Sequence, residues 1–205
     1  YDNVIVGTAN NDNLRGTDAD DSISGGAGND VITDTVGRNY LDGGEGNDKI
    51  TGAGTLVGGK GNDTLTASVA GSSDTFKFDL GDGTDIIVSV DADKNQKGED
   101  VIEFGTGITK DDLTFQRAGN NLVIKYGDQG DQITINNYFA GANYQTINKI
   151  TFADDQANPL VIQDNMKLEG TTGNDNIVGS IWNDTITGGA GNDVITDIQG
   201  VNYLD

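Results

Sequence analysis

Gly25 to Thr33 reads GGAGNDVIT, Gly43 to Thr51 reads GGEGNDKIT, and Gly58 to Thr66 reads GGKGNDTLT. Looser copies extend the same nine-residue phase: Gly7 to Arg15 is GTANNDNLR, Gly16 to Ser24 is GTDADDSIS, and Asp34 to Asp42 is DTVGRNYLD. The eighth position is aliphatic throughout, as Leu14, Ile23, Ile32, Leu41, Ile50 and Leu65. The sixth is an aspartate (Asp12, Asp21, Asp30, Asp48, Asp63), with Asn39 the exception. Between Thr51 and Gly58 a shortened unit, GAGTLV, keeps Leu56 but has no room for the turn. The pattern restarts at Gly170 as GTTGNDNIV, GSIWNDTIT, GGAGNDVIT and DIQGVNYLD, and this block matches Gly7 to Asp42 at 23 of 36 positions with an offset of 163 residues. Such an offset, with Tyr1 at the start instead of methionine, reads as an excised piece of a parent that repeats a large unit.

The residue types explain the period. Six Gly-rich residues make a turn, where positive φ and close backbone approach need a missing Cβ. Three residues with a central aliphatic make a short strand whose side chains alternate inward and outward. Two nonapeptides close one coil of a flattened parallel roll, so loop n stacks on loop n+2. Each nonapeptide buries essentially one large side chain, which is too little on its own to offset the ordering of nine residues.

Composition narrows the function. Of 205 residues, 33 are acidic and 12 basic, for a formal charge of −21. All but Glu45, Glu99, Glu103 and Glu169 of those acids are aspartate, a turn residue, and there are 31 glycines. The absence of His and Cys excludes a Ser-His-Asp triad, a cysteine nucleophile, the usual zinc and iron ligand sets and any disulfide. So large a negative charge excludes nucleic acid and anionic lipid as partners. No apolar run approaches the ~20 residues of a membrane span, and no signal segment opens the chain.

The consensus GGxGxDxUx, with U a large aliphatic, resembles the RTX (repeats-in-toxin) family of hemolysin-type calcium-binding repeats over roughly the first 70 and last 40 residues. The resemblance implies an all-β protein with two parallel β-roll blocks, and Ca2+ bound between stacked loops. The chemistry agrees: calcium takes 6 to 8 oxygens from carboxylates and carbonyls, whereas magnesium keeps its waters and a tighter octahedron. On one edge the pairs are Asp12/Asp30, Asp30/Asp48 and, if the short unit at Gly52 still provides a crossing, Asp48/Asp63, giving three proposed ions. In the second array Asp175/Asp193 is the corresponding pair. The opposite edge is poorer, because Asp21 faces Asn39 and Asp184 faces Asn202. By the resemblance, positions one and three of one loop and two and four of the next donate carbonyls, which implicates Gly25, Ala27, Gly43, Glu45, Gly26, Gly28, Gly44, Gly46, Gly59 and Gly61. The plain alternative for each aspartate is a turn residue capping its own backbone without a metal.

Between the arrays, alternation replaces the nonapeptide, at Phe76–Phe78, Ile86–Val90, Val101–Phe104, Leu113–Phe115, Leu122–Tyr126, Ile133–Ile135 and Ile147–Phe152. It predicts a small antiparallel β domain with a short helical turn near Thr109 to Leu113, so that the chain divides as 1–73, 74–163 and 164–205. The stretch DDLTFQRAGNNLVIKYGDQGDQITINNYF is similar to the hemolysin-type calcium-binding-related segments that accompany RTX blocks, and capping an open roll end is its natural role. Asp91 to Asn95 begins like an EF-hand loop, but Gln96 and Ile102 stand where Gly and Glu are required. Trp182 reads as a surface or packing residue, and Tyr138, Phe139 and Tyr144 as aromatic core.

These readings converge on a calcium-induced folding module of a large secreted bacterial protein (toxin, adhesin or exoenzyme). The resemblance implies export of the unfolded chain by a type I secretion apparatus, to the extracellular space or cell surface. An adhesin segment whose middle β domain binds a glycan or protein is the alternative. Catalysis by paired carboxylates is disfavoured, because the repeat acids are committed to turns and the middle holds only Glu99 and Glu103 as glutamates.

Overall fold

The structure is a computed structural model that describes residues 1–68, 72–89, 99–127, 129–140, 147–162, 166–179, 183–197 and 202–205. Asp91 to Asn95, Tyr144 and Trp182 lie outside the described residues. The first array supplies β1 (Asn3–Val6), β2 (Asn13–Arg15), β3 (Asp21–Ala27), β4 (Val31–Glu45), β5 (Lys49–Lys60) and β6 (Thr64–Ala67). All pair in parallel, and β4 and β5 are long because each runs through a turn and contributes to both faces.

The registers place every eighth-position aliphatic in one of two columns. On one face Ile23 pairs with Leu41 and Leu41 with Leu56; on the other Leu14 pairs with Ile32, Ile32 with Ile50 and Ile50 with Leu65. Ile23, Ile32, Leu41, Ile50, Leu56 and Leu65 are all fully buried, so the columns form the core of the roll.

The roll continues beyond the repeats. β7 (Thr75–Phe78), β8 (Thr84–Ser89) and β9 (Asp100–Phe104) pair in parallel with the coil before them, adding Phe76, Ile87 and Ile102 to the columns. Two more strands join in parallel: β12 (Asp131–Ile135) on β8 and β13 (Ile147–Phe152) on β9. Among the described residues, antiparallel pairing, expected for the whole middle, is confined to the β10 (Thr114–Ala118), β11 (Asn121–Tyr126), β12 meander and to β13 with β14 (Leu160–Val161). The physical reason is that alternation specifies a half-buried strand but not its direction; the parallel direction comes from stacking on the coil below.

The middle holds the aromatic core. Phe104 lies 4.8 Å from Tyr126 and 6.0 Å from Phe152, ring centre to ring centre, and Tyr138 is fully buried edge-on to Phe139. A 3-10 turn at Lys110–Asp112 occupies the expected helical position, capped by Thr109, whose N–H and hydroxyl both donate to Asp112.

The second array repeats the pattern in β15 (Met166–Glu169), β16 (Asn176–Val178), β17 (Asp184–Thr187), β18 (Val194–Thr196) and β19 (Tyr203–Leu204). β15 pairs with β17 and β17 with β19, while β16 pairs with β18. A parallel contact between Phe115 and Leu168 joins this array to the meander.

Candidate metal centre

Stacking the turns brings the sixth-position aspartates into a continuous column. The Asp12 N–H donates to Asp30 Oδ1 at 2.7 Å, Asp30 N–H to Asp48 Oδ1 at 2.7 Å, and Asp48 N–H to Asp63 Oδ1 at 2.7 Å. The same bond joins Asp175 to Asp193 at 2.9 Å. On the other edge Asp21 N–H donates to Asn39 Oδ1 and Asp184 N–H to Asn202 Oδ1. Asp30, Asp48, Asp63 and Asp193 therefore each spend Oδ1 tying their loop to the preceding coil.

The second oxygen separates two kinds of loop. In Asp30, Asp48 and Asp63 Oδ2 is buried and has no hydrogen-bond partner. In Asp12, Asp21 and Asp175 it accepts from both the N–H and the hydroxyl of Thr8, Thr17 or Thr171, the threonine that replaces the second glycine. The threonine loops thus hold the second oxygen of their own aspartate locally, and the full-consensus loops leave an acceptor open.

That open oxygen faces a small cradle. A β-carbon on Gly25 would collide with Asp30 Oδ2 and the Gly43 carbonyl oxygen; one on Gly43 would collide with Asp48 Oδ2 and the Gly58 carbonyl oxygen. Glycine at position one therefore keeps a space lined by one carboxylate and by the carbonyl of the next coil. This hard-oxygen donor set fits calcium. Among the described residues no group of three or more acidic, His or Cys side chains converges as a metal cluster, so backbone carbonyls would have to complete any coordination.

The other proposed carbonyl residues lie in the same stacks. The carbonyls of Gly26, Gly28, Gly44 and Gly46 face Gly44, Gly46, Gly59 and Gly61 of the next coil, and Ala27 is in register with Glu45. The Glu45 carbonyl accepts the Gly28 N–H at 2.8 Å, so it also serves the inter-coil ladder. Gly46 and Gly61 have φ of 134° and 145°, and a β-carbon on either would strike the carbonyl below.

Electrostatics follow from this burial. Desolvation pushes Asp48 up, and pushes Asp63 up to about 7, with Asp48 and Asp82 nearby adding like charge. Asp21 is held below the usual range by its bonds from Asn3 and Thr17. Asp48 and Asp63 thus favour neutralisation, by a proton or by a cation, whereas Asp21 favours the anion.

Two features escaped the sequence reading. Leu80 to Val88, LGDGTDIIV, is a further repeat lacking its first glycine: Asp63 N–H donates to Asp85 Oδ1 at 2.9 Å, and Asp85 is fully buried with Oδ2 unpartnered. Burial, then the charges of Asp63, Asp82 and Asp131, push Asp85 up to about 8. The column ends at Asp131, whose two oxygens take the N–H groups of Gly81 and Gly83. The second feature is the fifth position, where Asn29 N–H donates back to Asn11 Oδ1, Asn47 to Asn29 and Asn62 to Asn47, each at 2.8 Å. The Asn-Asp dipeptide thus ties each loop to both neighbours, and its repetition was the available signal. On the opposite edge the shortened unit at Gly52 leaves a cavity of about 540 Å³, lined in part by Arg38, Asn39, Gly54 and Asp74.

Comparison with known proteins identifies the repeats by sequence. The family model for the RTX calcium-binding nonapeptide repeat matches residues 1–32, 25–54, 51–68 and 169–196, and that for the haemolysin-type calcium binding protein related domain matches 121–154. The iron-regulated protein FrpA of Neisseria meningitidis serogroup C is 34% identical over 105 residues, covering 50% of this chain and only 9% of that protein. Two solved structures from the Azotobacter vinelandii mannuronan C5-epimerase are similar. The AlgE6R2 subunit has a TM-score of 0.41 at 24% identity, over 73% of this chain and 92% of its own; AlgE6R3 has 0.41 at 23%, over 74% and 83%. By these matches the two arrays consist of RTX calcium-binding nonapeptide repeats, and a haemolysin-type calcium binding protein related segment stands between them.

Proposed function

We propose that this chain is a calcium-driven folding module of a large secreted bacterial RTX protein, exported unfolded through a type I secretion apparatus and folded outside the cell. The ions lie between consecutive coils at Asp12/Asp30, Asp30/Asp48, Asp48/Asp63 and Asp63/Asp85 on one edge, and at Asp175/Asp193 in the second array. The observation that carries this reading is the column of buried, unpartnered carboxylate oxygens on Asp30, Asp48, Asp63 and Asp85. A buried acceptor left unmade is costly, and a divalent cation bound only by the folded chain removes the cost and stabilises that state by mass action. In a calcium-poor cytosol the same column opposes folding, which suits export as an extended chain. Among the described residues no helix is long and apolar enough to cross a membrane.

Circular dichroism across a calcium titration tests the site assignment. Asp30 belongs to two rungs, whereas both Asp21 oxygens are already held, Oδ1 by Asn3 and Oδ2 by Thr17. Asp30→Ala is expected to raise the calcium midpoint about tenfold, equivalent to ~1.4 kcal/mol. Asp21→Ala is expected to raise it less than about twofold. Equal shifts would contradict the assignment of the ions to the Asp30 edge.

A further inference from the structure

The second edge carries a paired substitution that the first edge lacks. Loop 34–39 has Asp34 where the first glycine belongs and Asn39 where the sixth-position aspartate belongs, and the later array repeats both changes as Asp197 and Asn202. Each time a carboxylate is lost at position six, one is gained at position one.

Asp34 is 3% exposed, and its Oδ2 has no hydrogen-bond partner. That oxygen points into the space left by the missing side chain of Gly16, where a β-carbon would collide with it. The equivalent space at Gly25 is bounded by the Gly43 carbonyl oxygen from the next coil. The Asp34 carboxylate therefore stands where a first-position carbonyl stands on the other edge. Asp197 reaches the space at Gly179 in the same way.

The other oxygen of Asp34 accepts the Val36 N–H at 3.4 Å, so Oδ2 alone is open. Asn39 has its Oδ1 accepting from Asp21 and its Nδ2 donating to the Val36 carbonyl at 2.8 Å and to the Asp34 carbonyl at 3.4 Å. Asp21 is held by Asn3 and Thr17, and among the described residues no Lys or Arg pairs with Asp34. The result is a buried carboxylate beside other acids, with one oxygen lying over Gly16 without a partner, which is the arrangement a hard divalent cation resolves.

We propose that Asp34 is a ligand of a further calcium site, on the second edge between loops 16–21 and 34–39, where a first-position carboxylate replaces the one that Asn39 lacks. This deepens the calcium reading given above and rests on it. The second edge is then charged rather than empty, through a residue outside the consensus ligand positions.

Counting bound calcium on the full chain, by equilibrium dialysis at saturating calcium, tests the site. Asp34→Asn keeps the shape and removes a buried charge; it is expected to bind one ion fewer than wild type. Asn39→Asp, which returns a carboxylate to position six, is expected to bind the wild-type number, because the rung is already filled. An unchanged count in Asp34→Asn, or a gain of one ion in Asn39→Asp, would overturn the proposal. Wild type that bound no calcium at all would instead sink the calcium reading on which it rests.

Discussion

In excess chelator the chain is expected to lose its sheet structure, and to regain it cooperatively as calcium rises into the millimolar range. The magnitude comes from the open oxygens. Asp30, Asp34, Asp48, Asp63 and Asp85 each bury one carboxylate oxygen without a partner. An unsatisfied buried polar group costs about 1–3 kcal/mol, and a charged one more. Five of them together reach the whole ~5–15 kcal/mol by which ordinary domains are stable. The net charge of −21 adds self-repulsion to the compact state. On the other side, a site at ten times its Kd contributes about 1.4 kcal/mol, so the five proposed rungs supply roughly 7 kcal/mol. The ion term is therefore as large as the stability itself. Far-ultraviolet circular dichroism and thermal melts at fixed free calcium measure this directly, with magnesium at equal concentration expected to do little. A chain that stayed compact and melted cooperatively in chelator would refute it.

The same oxygens show how far the sequence could be read. The nonapeptide phase was visible because glycine, aspartate and the eighth-position aliphatic all recur together, and Ile23, Ile32, Leu41, Ile50 and Leu65 are buried as that phase requires. Where the glycines drop out the phase was lost, although the roll continues. Asp74-Thr75-Phe76 and Asp100-Val101-Ile102 keep only the aspartate and the inward aliphatic or aromatic residue. Yet Asp74 N–H donates to Asp100 Oδ1, and Phe76 pairs with Ile102, just as in the repeats. Leu80 in place of glycine, and a step of 22 residues from Asp63 to Asp85 instead of 18, hid the repeat at LGDGTDIIV. Strand direction was hidden for a different reason: an alternating pattern is satisfied equally by a meander and by a stacked coil, and the choice is made by what lies underneath. The threonine loops were legible only in part. That Thr8 and Thr17 would satisfy Asp12 and Asp21 locally follows from the turn chemistry of Ser and Thr, but which aspartate oxygen they would take depends on the stacking.

Filling one cradle with a methyl group is expected to remove an ion without touching any charge. Gly43 is buried, and its backbone is not in the left-handed region, so alanine is conformationally acceptable there. Only the space forbids it: a β-carbon would meet Asp48 Oδ2 and come within 2.6 Å of the Gly58 carbonyl oxygen. The Asp48/Asp63 rung would lose its cavity while keeping both carboxylates. In the unfolded chain alanine is harmless, and by reducing chain entropy it would on its own favour the folded state by about 0.4–1 kcal/mol. Any loss therefore reports on the cradle. Gly173 supplies the matched control, since a β-carbon there meets nothing nearer than Thr171 Oγ1 at 3.7 Å. Gly43→Ala is expected to bind one calcium fewer and to raise the calcium midpoint for folding about tenfold, or ~1.4 kcal/mol. Gly173→Ala is expected to leave both nearly unchanged. Dialysis for the count and circular dichroism for the midpoint separate the two outcomes. If the two alanine variants bound the same number of ions, the space between Asp48 and the next coil would not be where calcium sits.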